Sequence, residues 1–220
     1  MKRCGLLGEK LGHSYSPYIH KELGDYSYNL FEKKPEEVEA FLKSGELDGM
    51  NVTIPYKKTA FPFLDEVSEL AQEIGAVNTI VRRADGTLYG DNTDVYGFTE
   101  MVRYSGIEVA GKKVLVLGNG GASKAVQASL RRLNANFVII SRSGENNYEN
   151  LDRHADADVI VNTTPVGMFP KTGESPVDLD RFENLSGVLD IVYNPSRTEI
   201  LLQAEAAGIP SLNGLYMLVA

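Results

Sequence analysis

The feature that most constrains this chain is a run of four apolar residues, Val114-Leu115-Val116-Leu117, that ends in Gly118-Asn119-Gly120-Gly121-Ala122-Ser123 and continues as a helical pattern over 124–133. An apolar run without alternation suits a strand buried on both faces, and such strands belong to parallel sheets. A glycine-rich turn between that strand and a helix is the context in which backbone closes on a pyrophosphate. Gly118 permits the tight turn and Gly120 the close approach. The free N–H groups of the following helix then face a negative charge. A purely structural βα turn is the plainer alternative, and the strand–turn–helix order favours ligand binding. The third glycine of the usual fingerprint is Ser123 here.

In dinucleotide folds the ribose is read about twenty residues further on, where NAD binders carry an Asp or Glu. Here Phe137-Val138-Ile139-Ile140 runs into Ser141-Arg142-Ser143. A cation flanked by hydroxyls suits a 2′-phosphate. The expected cofactor-binding set is therefore Gly118, Asn119, Gly120, Gly121, Ala122, Ser141, Arg142 and Ser143, with NADP favoured over NAD. Arg142 as an ordinary surface arginine is the alternative.

The rest of the chain alternates short apolar strands with helical stretches, the pattern of an α/β protein. Strands are expected at 2–8, 26–31, 49–54, 137–140, 159–161 and 188–192. Helices are expected at 16–23, with Ser16 as N-cap and Pro17 in the first turn, and at 35–43. Residues 80–83 and 87–89 read as a hairpin turning at Asp85-Gly86. A domain boundary is expected at 95–105, through a helix that starts near Asp94. No repeat or low-complexity segment interrupts this order.

Composition narrows the function classes. The 220 residues are 43% hydrophobic and carry a net charge of −8, which argues against nucleic-acid partners. No apolar stretch approaches the ~18 residues of a membrane helix, and the N-terminus lacks a signal-peptide pattern. Cys4 is the only cysteine, so an intrachain disulfide is excluded and a reducing cytoplasm is expected. Within Cys4-Gly5-Leu6-Leu7 it reads as a strand residue before a nucleophile. No His/Cys cluster suggests a metal.

Polar residues concentrate at strand ends in the first half. Ser14 and Ser16 precede a helix and could share one carboxylate, although capping alone needs only Ser16. In Asn51-Val52-Thr53-Ile54-Pro55-Tyr56-Lys57, Thr53 and Lys57 would reach the carboxyl side of a strand, where α/β proteins bind ligands. A lysine tuned by its surroundings can donate a proton. Lys58 reads as the surface residue of the pair. Asn78 and Asp94, taken singly, read as turn or cap residues.

Taken together, these segments resemble shikimate dehydrogenase nearly end to end. The resemblance rests on Gly12 to His20, Asn51 to Lys57, Gly75-Ala76-Val77-Asn78-Thr79 and Asn92-Thr93-Asp94. It continues through Gly118 to Ser123, Asn162 to Met168, Asp190-Ile191-Val192-Tyr193-Asn194-Pro195 and Asn213 to Val219. It implies an N-terminal α/β substrate-binding and catalytic domain over 1–100, joined by segment 213–220. It also implies a Rossmann-like dinucleotide-binding domain over 101–212 with a shortened second half. The implied activity is reversible NADP-dependent reduction of 3-dehydroshikimate to shikimate, in aromatic amino-acid biosynthesis. Lys57 and Asp94 would be the catalytic pair, Ser14 and Ser16 would hold the substrate carboxylate, and Thr53, Asn78, Asp94 and Tyr193 would bind ring hydroxyls or line that site. Glu69 falls at a cofactor-side acidic position, and Ile191 and Gly214 where the nicotinamide is flanked.

Three departures from the family are visible. Only residues 144–158 separate Ser143 from Val159, so the cofactor sheet is expected to lack a strand or helix. Gly144-Glu145 follow Ser143 where a second basic residue is often found. A substrate-contacting glutamine and a closing helix follow the segment that here ends at Ala220, which implies reduced activity for this chain. The neighbouring readings are a quinate/shikimate dehydrogenase using NAD and a non-catalytic dinucleotide or shikimate sensor on the same fold. The presence of both Lys57 and Asp94 favours the enzyme. The partner is then a small molecule, with neither nucleic acid nor membrane, and a homodimer is compatible with it.

Overall fold

The computed structural model describes residues 1–12 and 14–220, so His13 of the serine motif lies outside the described residues. The chain divides into two compact units, Met1–Thr93 and Asp94–Ala220.

The first unit contains β1 (Arg3–Gly8), α1 (Ser16–Leu23), β2 (Ser27–Glu32), α2 (Val38–Lys43), β3 (Gly49–Val52) and α3 (Tyr56–Thr59). It continues with β4 (Glu66–Val67), α4 (Glu69–Ile74), β5 (Thr79–Arg82) and β6 (Leu88–Asp91). Its sheet runs in the order β2-β1-β3-β5-β6-β4. β1 is parallel to β2 and β3, whereas β5 is antiparallel to both β3 and β6. α2 buries Val38, Phe41 and Leu42, the i, i+3, i+4 spacing of one helical face, against a core that includes Leu7, Met50, Val52, Tyr56 and Ile80.

Three local expectations change. The helix expected over 35–43 opens as a 3-10 turn at Pro35–Glu37 and becomes α-helical only from Val38. Ser16 is not the N-cap of α1: Tyr15 holds that position and Ser16 is already helical. The strand expected to reach residue 54 ends at Val52.

The second unit contains α5 (Asp94–Ser105), β7 (Lys113–Leu117), α6 (Gly121–Arg132), β8 (Asn136–Ile140), β9 (Val159–Asn162), β10 (Gly187–Asp190), α7 (Glu199–Ala206), β11 (Ser211–Asn213) and α8 (Leu215–Val219). All strand pairs are parallel, in the order β11-β10-β9-β7-β8. Residues Val114 to Leu117 are completely buried. Leu115 and Leu117 join one apolar cluster and Val114 and Val116 the other, so β7 is covered on both faces as its unalternating pattern requires.

The shortening lies between β8 and β9, where the crossover holds only a 3-10 turn at Leu151–His154 and β8 is left as the edge strand. α8 packs on α5: Tyr104 and Tyr216 stack with centroids 4.2 Å apart. Segment 213–220 therefore sits with the second unit, not with the first, to which the sequence reading joined it.

Candidate functional site

In the first unit, strand directions gather one set of polar residues. β3 runs parallel to β1, and Asn51 of β3 pairs with Thr79 of antiparallel β5, which pairs in turn with Asp91 of β6. The segments following Gly8, Val52 and Asp91, and the one preceding Thr79, thus meet at one edge of the sheet. That edge carries Ser14, Ser16, Thr53, Lys57, Asn78 and Thr93.

Hydrogen bonds hold several of these residues in place. The Ser16 N–H donates to Ser14 Oγ (3.2 Å), and Ser14 Oγ donates to Ser16 Oγ (3.1 Å). Ser14 thus does the local bonding that was expected of Ser16 as a cap. The Tyr28 hydroxyl donates to Asn51 Oδ1 (2.7 Å). Thr79 Oγ1 donates to Asn78 Oδ1 (3.1 Å). Asn78, nearly buried, accepts the Thr93 N–H at 2.8 Å and donates from Nδ2 to Thr93 Oγ1 at 3.0 Å. This bonding fixes the chain immediately before Asp94, the first residue of α5. His20 stacks on Tyr28 at 3.7 Å. Burial raises the Tyr28 hydroxyl and lowers the His20 imidazole, so both stay neutral at neutral pH.

Lys57 is held by backbone, because its carbonyl accepts the Val77 N–H at 2.8 Å, next to Asn78. The neighbouring Tyr56 is fully buried and donates to Lys33 O at 2.6 Å, which anchors α3. Lys57 is half-buried and Lys58 exposed, the distinction expected for the pair. Glu69 is exposed in the first turn of α4, behind the Ser68 cap, a favourable place for a carboxylate at a helix start.

In the second unit, strand order reverses at β7, and ligands in open α/β sheets bind outside the carboxyl ends at such a switch point. Gly118 stands there with φ +102°, a conformation that favours glycine. A Cβ on Gly118 would come within 2.9 Å of Thr163 Oγ1. At Gly120 and Gly121 a Cβ would meet nothing within 4 Å, so the space over the turn is not filled by this chain among the described residues. α6 starts without a side-chain cap and without an acidic residue in its first turn. Open N–H groups, bare glycines and the dipole of a helix fit a pyrophosphate. Ser123, in place of the third glycine, is fully buried and donates from Oγ to Gly118 O at 2.8 Å. The departure from the fingerprint becomes a bond that closes the turn.

Beside the turn lies a groove of about 340 Å³ lined by Asn119, Ser141, Gly144, Glu145, Asn146 and the edge strand β8. Of the expected Ser141-Arg142-Ser143 set, only Ser141 lines it; Arg142 and Ser143 are exposed. Ile191 and Gly214 are brought together by backbone packing. The Gly214 N–H donates to Val192 O at 3.1 Å, and a Cβ on Gly214 would sit 2.0 Å from Ile191 O. Tyr193 is half-buried in the same β10–α7 connection.

Sequence reasoning gave no role to Asp190, which is completely buried at the end of β10. Its Oδ1 accepts from Asn162 Nδ2 (3.0 Å) and from the Val192 N–H (3.0 Å), and its Oδ2 accepts from Thr198 Oγ1 (2.6 Å). Burial pushes its carboxyl up to about 6, against the pull of these three bonds. A lone Asp ending an apolar strand was the signal available. Among the described residues, no group of His, Cys, Asp and Glu could hold a metal.

Comparison with known proteins adds family evidence. A family model for the shikimate dehydrogenase substrate-binding domain matches residues 6–80. The chain is 38% identical to the shikimate dehydrogenase (NADP(+)) of Clostridium beijerinckii, over 100% of this chain and 88% of that protein. Its fold matches shikimate dehydrogenase 1 from Peptoclostridium difficile with a TM-score of 0.92 and 38% identity, over 100% of this chain and 88% of the other. It matches the Thermus thermophilus shikimate 5-dehydrogenase, solved in complex with NADP(H) and shikimate, with a TM-score of 0.90 and 34% identity, over 99% and 89% of the two chains.

Proposed function

Because this chain belongs to the shikimate dehydrogenase family, we propose that it interconverts shikimate and 3-dehydroshikimate with NADP, on the route to aromatic amino acids. What supports this most is the collection of Ser14, Ser16, Thr53, Lys57 and Asn78 at one sheet edge of the first unit. In this reading the Ser14 and Ser16 hydroxyls take the substrate carboxylate. Thr53, Asn78, Asp94 and Tyr193 would bind ring hydroxyls or line that site.

When bound, the nicotinamide supplies or takes up the hydride. Lys57 handles the proton. Reduction of the ketone builds negative charge on its oxygen, and an ammonium beside that oxygen stabilises the charge and donates. In the oxidation direction the amine takes the proton back. Asp94 is the second member of the pair. Gly118 to Ala122 would hold the pyrophosphate, Ser141, Arg142 and Ser143 would serve the ribose end, Ile191 and Gly214 would flank the nicotinamide, and Glu69 falls at the family's cofactor-side acidic position. A reducing cytoplasm suits the lone Cys4, and the reading is compatible with a homodimer.

The test is steady-state turnover of the purified protein with shikimate or quinate and with NADP or NAD, followed by the absorbance of the reduced nicotinamide. Shikimate with NADP should be fastest. Absence of shikimate-dependent reduction refutes the reading. Faster turnover of quinate with NAD replaces it by the neighbouring activity, and tight binding without turnover replaces it by a sensor.

A further inference from the structure

The shortened crossover begins next to the glycine turn, where Ser141 and Asn119 line one groove. Residues 141–150 fold back on themselves: the Ser141 N–H donates to Asn146 O (3.1 Å), and Asn150 Nδ2 donates to Glu145 O (2.9 Å). Asn147 Nδ2 donates to Gly144 O at 3.3 Å, and His154 Nε2 lies 3.0 Å from Asn146 Oδ1. These bonds pin the Glu145 backbone at the wall of the groove, while its carboxylate stays exposed and enters no ion pair among the described residues. Glu145 is the only charged residue lining that groove among the described residues; Arg142 stands outside it.

In doubly wound folds the adenosine ribose lies beside the glycine turn, at the carboxyl end of the second strand, where a carboxylate accepts from a free 2′-hydroxyl and an arginine accommodates a 2′-phosphate. The groove occupies that place, between Asn119 of the turn and Ser141 at the end of β8. A 2′-phosphate brings about −1.5 to −2 charges. Next to a carboxylate these are repelled, whereas an unphosphorylated ribose gains an acceptor.

Resting on the cofactor assignment above, we propose that Glu145 is a specificity-determining residue that acts at the adenosine-ribose end and reduces the preference for NADP over NAD that Arg142 creates. The two residues then oppose each other across one step in the ligand's chemistry, the presence or absence of the 2′-phosphate.

Equilibrium binding tests this without turnover. Dissociation constants are measured calorimetrically for NADP, for NAD and for the matching adenosine fragments with and without the 2′-phosphate. Wild type, Glu145→Gln, Glu145→Lys and Arg142→Ala are compared, with thermal melts to verify folding. Glu145→Gln should tighten NADP and the 2′-phosphorylated fragment by roughly 3–10-fold, while NAD stays within about twofold or weakens. Glu145→Lys should move the ratio further in the same direction. Both shifts should shrink as salt is raised, because the carboxylate is exposed. An NADP-to-NAD ratio unchanged by Glu145→Gln, or moved toward NAD, overturns the proposal. If wild type binds neither dinucleotide, the proposal and the cofactor assignment fall together. If selectivity follows the expected course while shikimate is not turned over, only the assigned reaction falls.

Discussion

Replacing Asp190 with asparagine removes a charge that the second unit keeps out of water. The side chain is completely buried, and burial raises its carboxyl from 3.8 to about 6 despite three hydrogen bonds to the ionised form. Two units at about 1.4 kcal/mol each place the burden on the ionised folded state at roughly 3 kcal/mol. The sign follows from linkage. The folded state holds this proton more tightly than the unfolded one. Its contribution is fully present below about pH 3.8 and is lost as pH rises through about 6.

An asparagine keeps the bonding geometry. Its carbonyl oxygen accepts from Asn162 Nδ2 and the Val192 N–H, and its amide donates to Thr198 Oγ1 once that hydroxyl turns. At neutral pH Asp190→Asn should therefore match or exceed wild type in stability, by up to roughly 3 kcal/mol. The gap should close as pH falls through the window between about 6 and 3.8. Asp190→Ala instead leaves the Asn162 amide, the Val192 N–H and the Thr198 hydroxyl without their acceptor, at about 1–3 kcal/mol for each buried group. It should be the least stable of the three proteins at every pH. Urea unfolding from about pH 4 to about pH 8, with hydrogen exchange of the Val192 amide as a local probe, reads both effects. A flat difference between wild type and Asp190→Asn across that range, or an asparagine variant as weak as the alanine one, would refute the reasoning.

Three further outcomes are expected. Lys57→Ala should lower turnover by about 10²–10⁴-fold with far less change in shikimate affinity, and near-normal turnover would remove Lys57 from the chemistry. Arg142→Ala should lower kcat/KM for NADP while sparing NAD; equal use of both cofactors by wild type would contradict the premise. Gly214→Ala drives a Cβ to 2.0 Å from Ile191 O, so the two backbones must separate; a loss of about 1–3 kcal/mol is expected for overpacking, and an unchanged Tm would show that the contact yields freely.

What the sequence determined by itself is what neighbouring residues decide among themselves. The apolar run Val114 to Leu117 had to be a doubly buried strand, Gly118 to Gly121 had to be a turn open enough for a ligand, and Asp85-Gly86 had to reverse a hairpin. In each case the chemistry and the geometry lie within about ten residues of chain. The segments that resemble a known family likewise carried their order along the chain. The tertiary structure alone decided the rest. β4 and β11 are only two and three residues long and exist because β6 and β10 offer pairing partners. Segment 213–220 went to the second unit because α8 found α5 to pack against. Gly214 answers to Ile191, and Asp190 to Asn162, Val192 and Thr198. Glu145 lines a groove with Asn119, a neighbour from the glycine turn that only the packed sheet brings beside it. Burial, and with it the cost of a charge or the need for a missing Cβ, is a sum over groups distant in sequence, and no local pattern contains that sum.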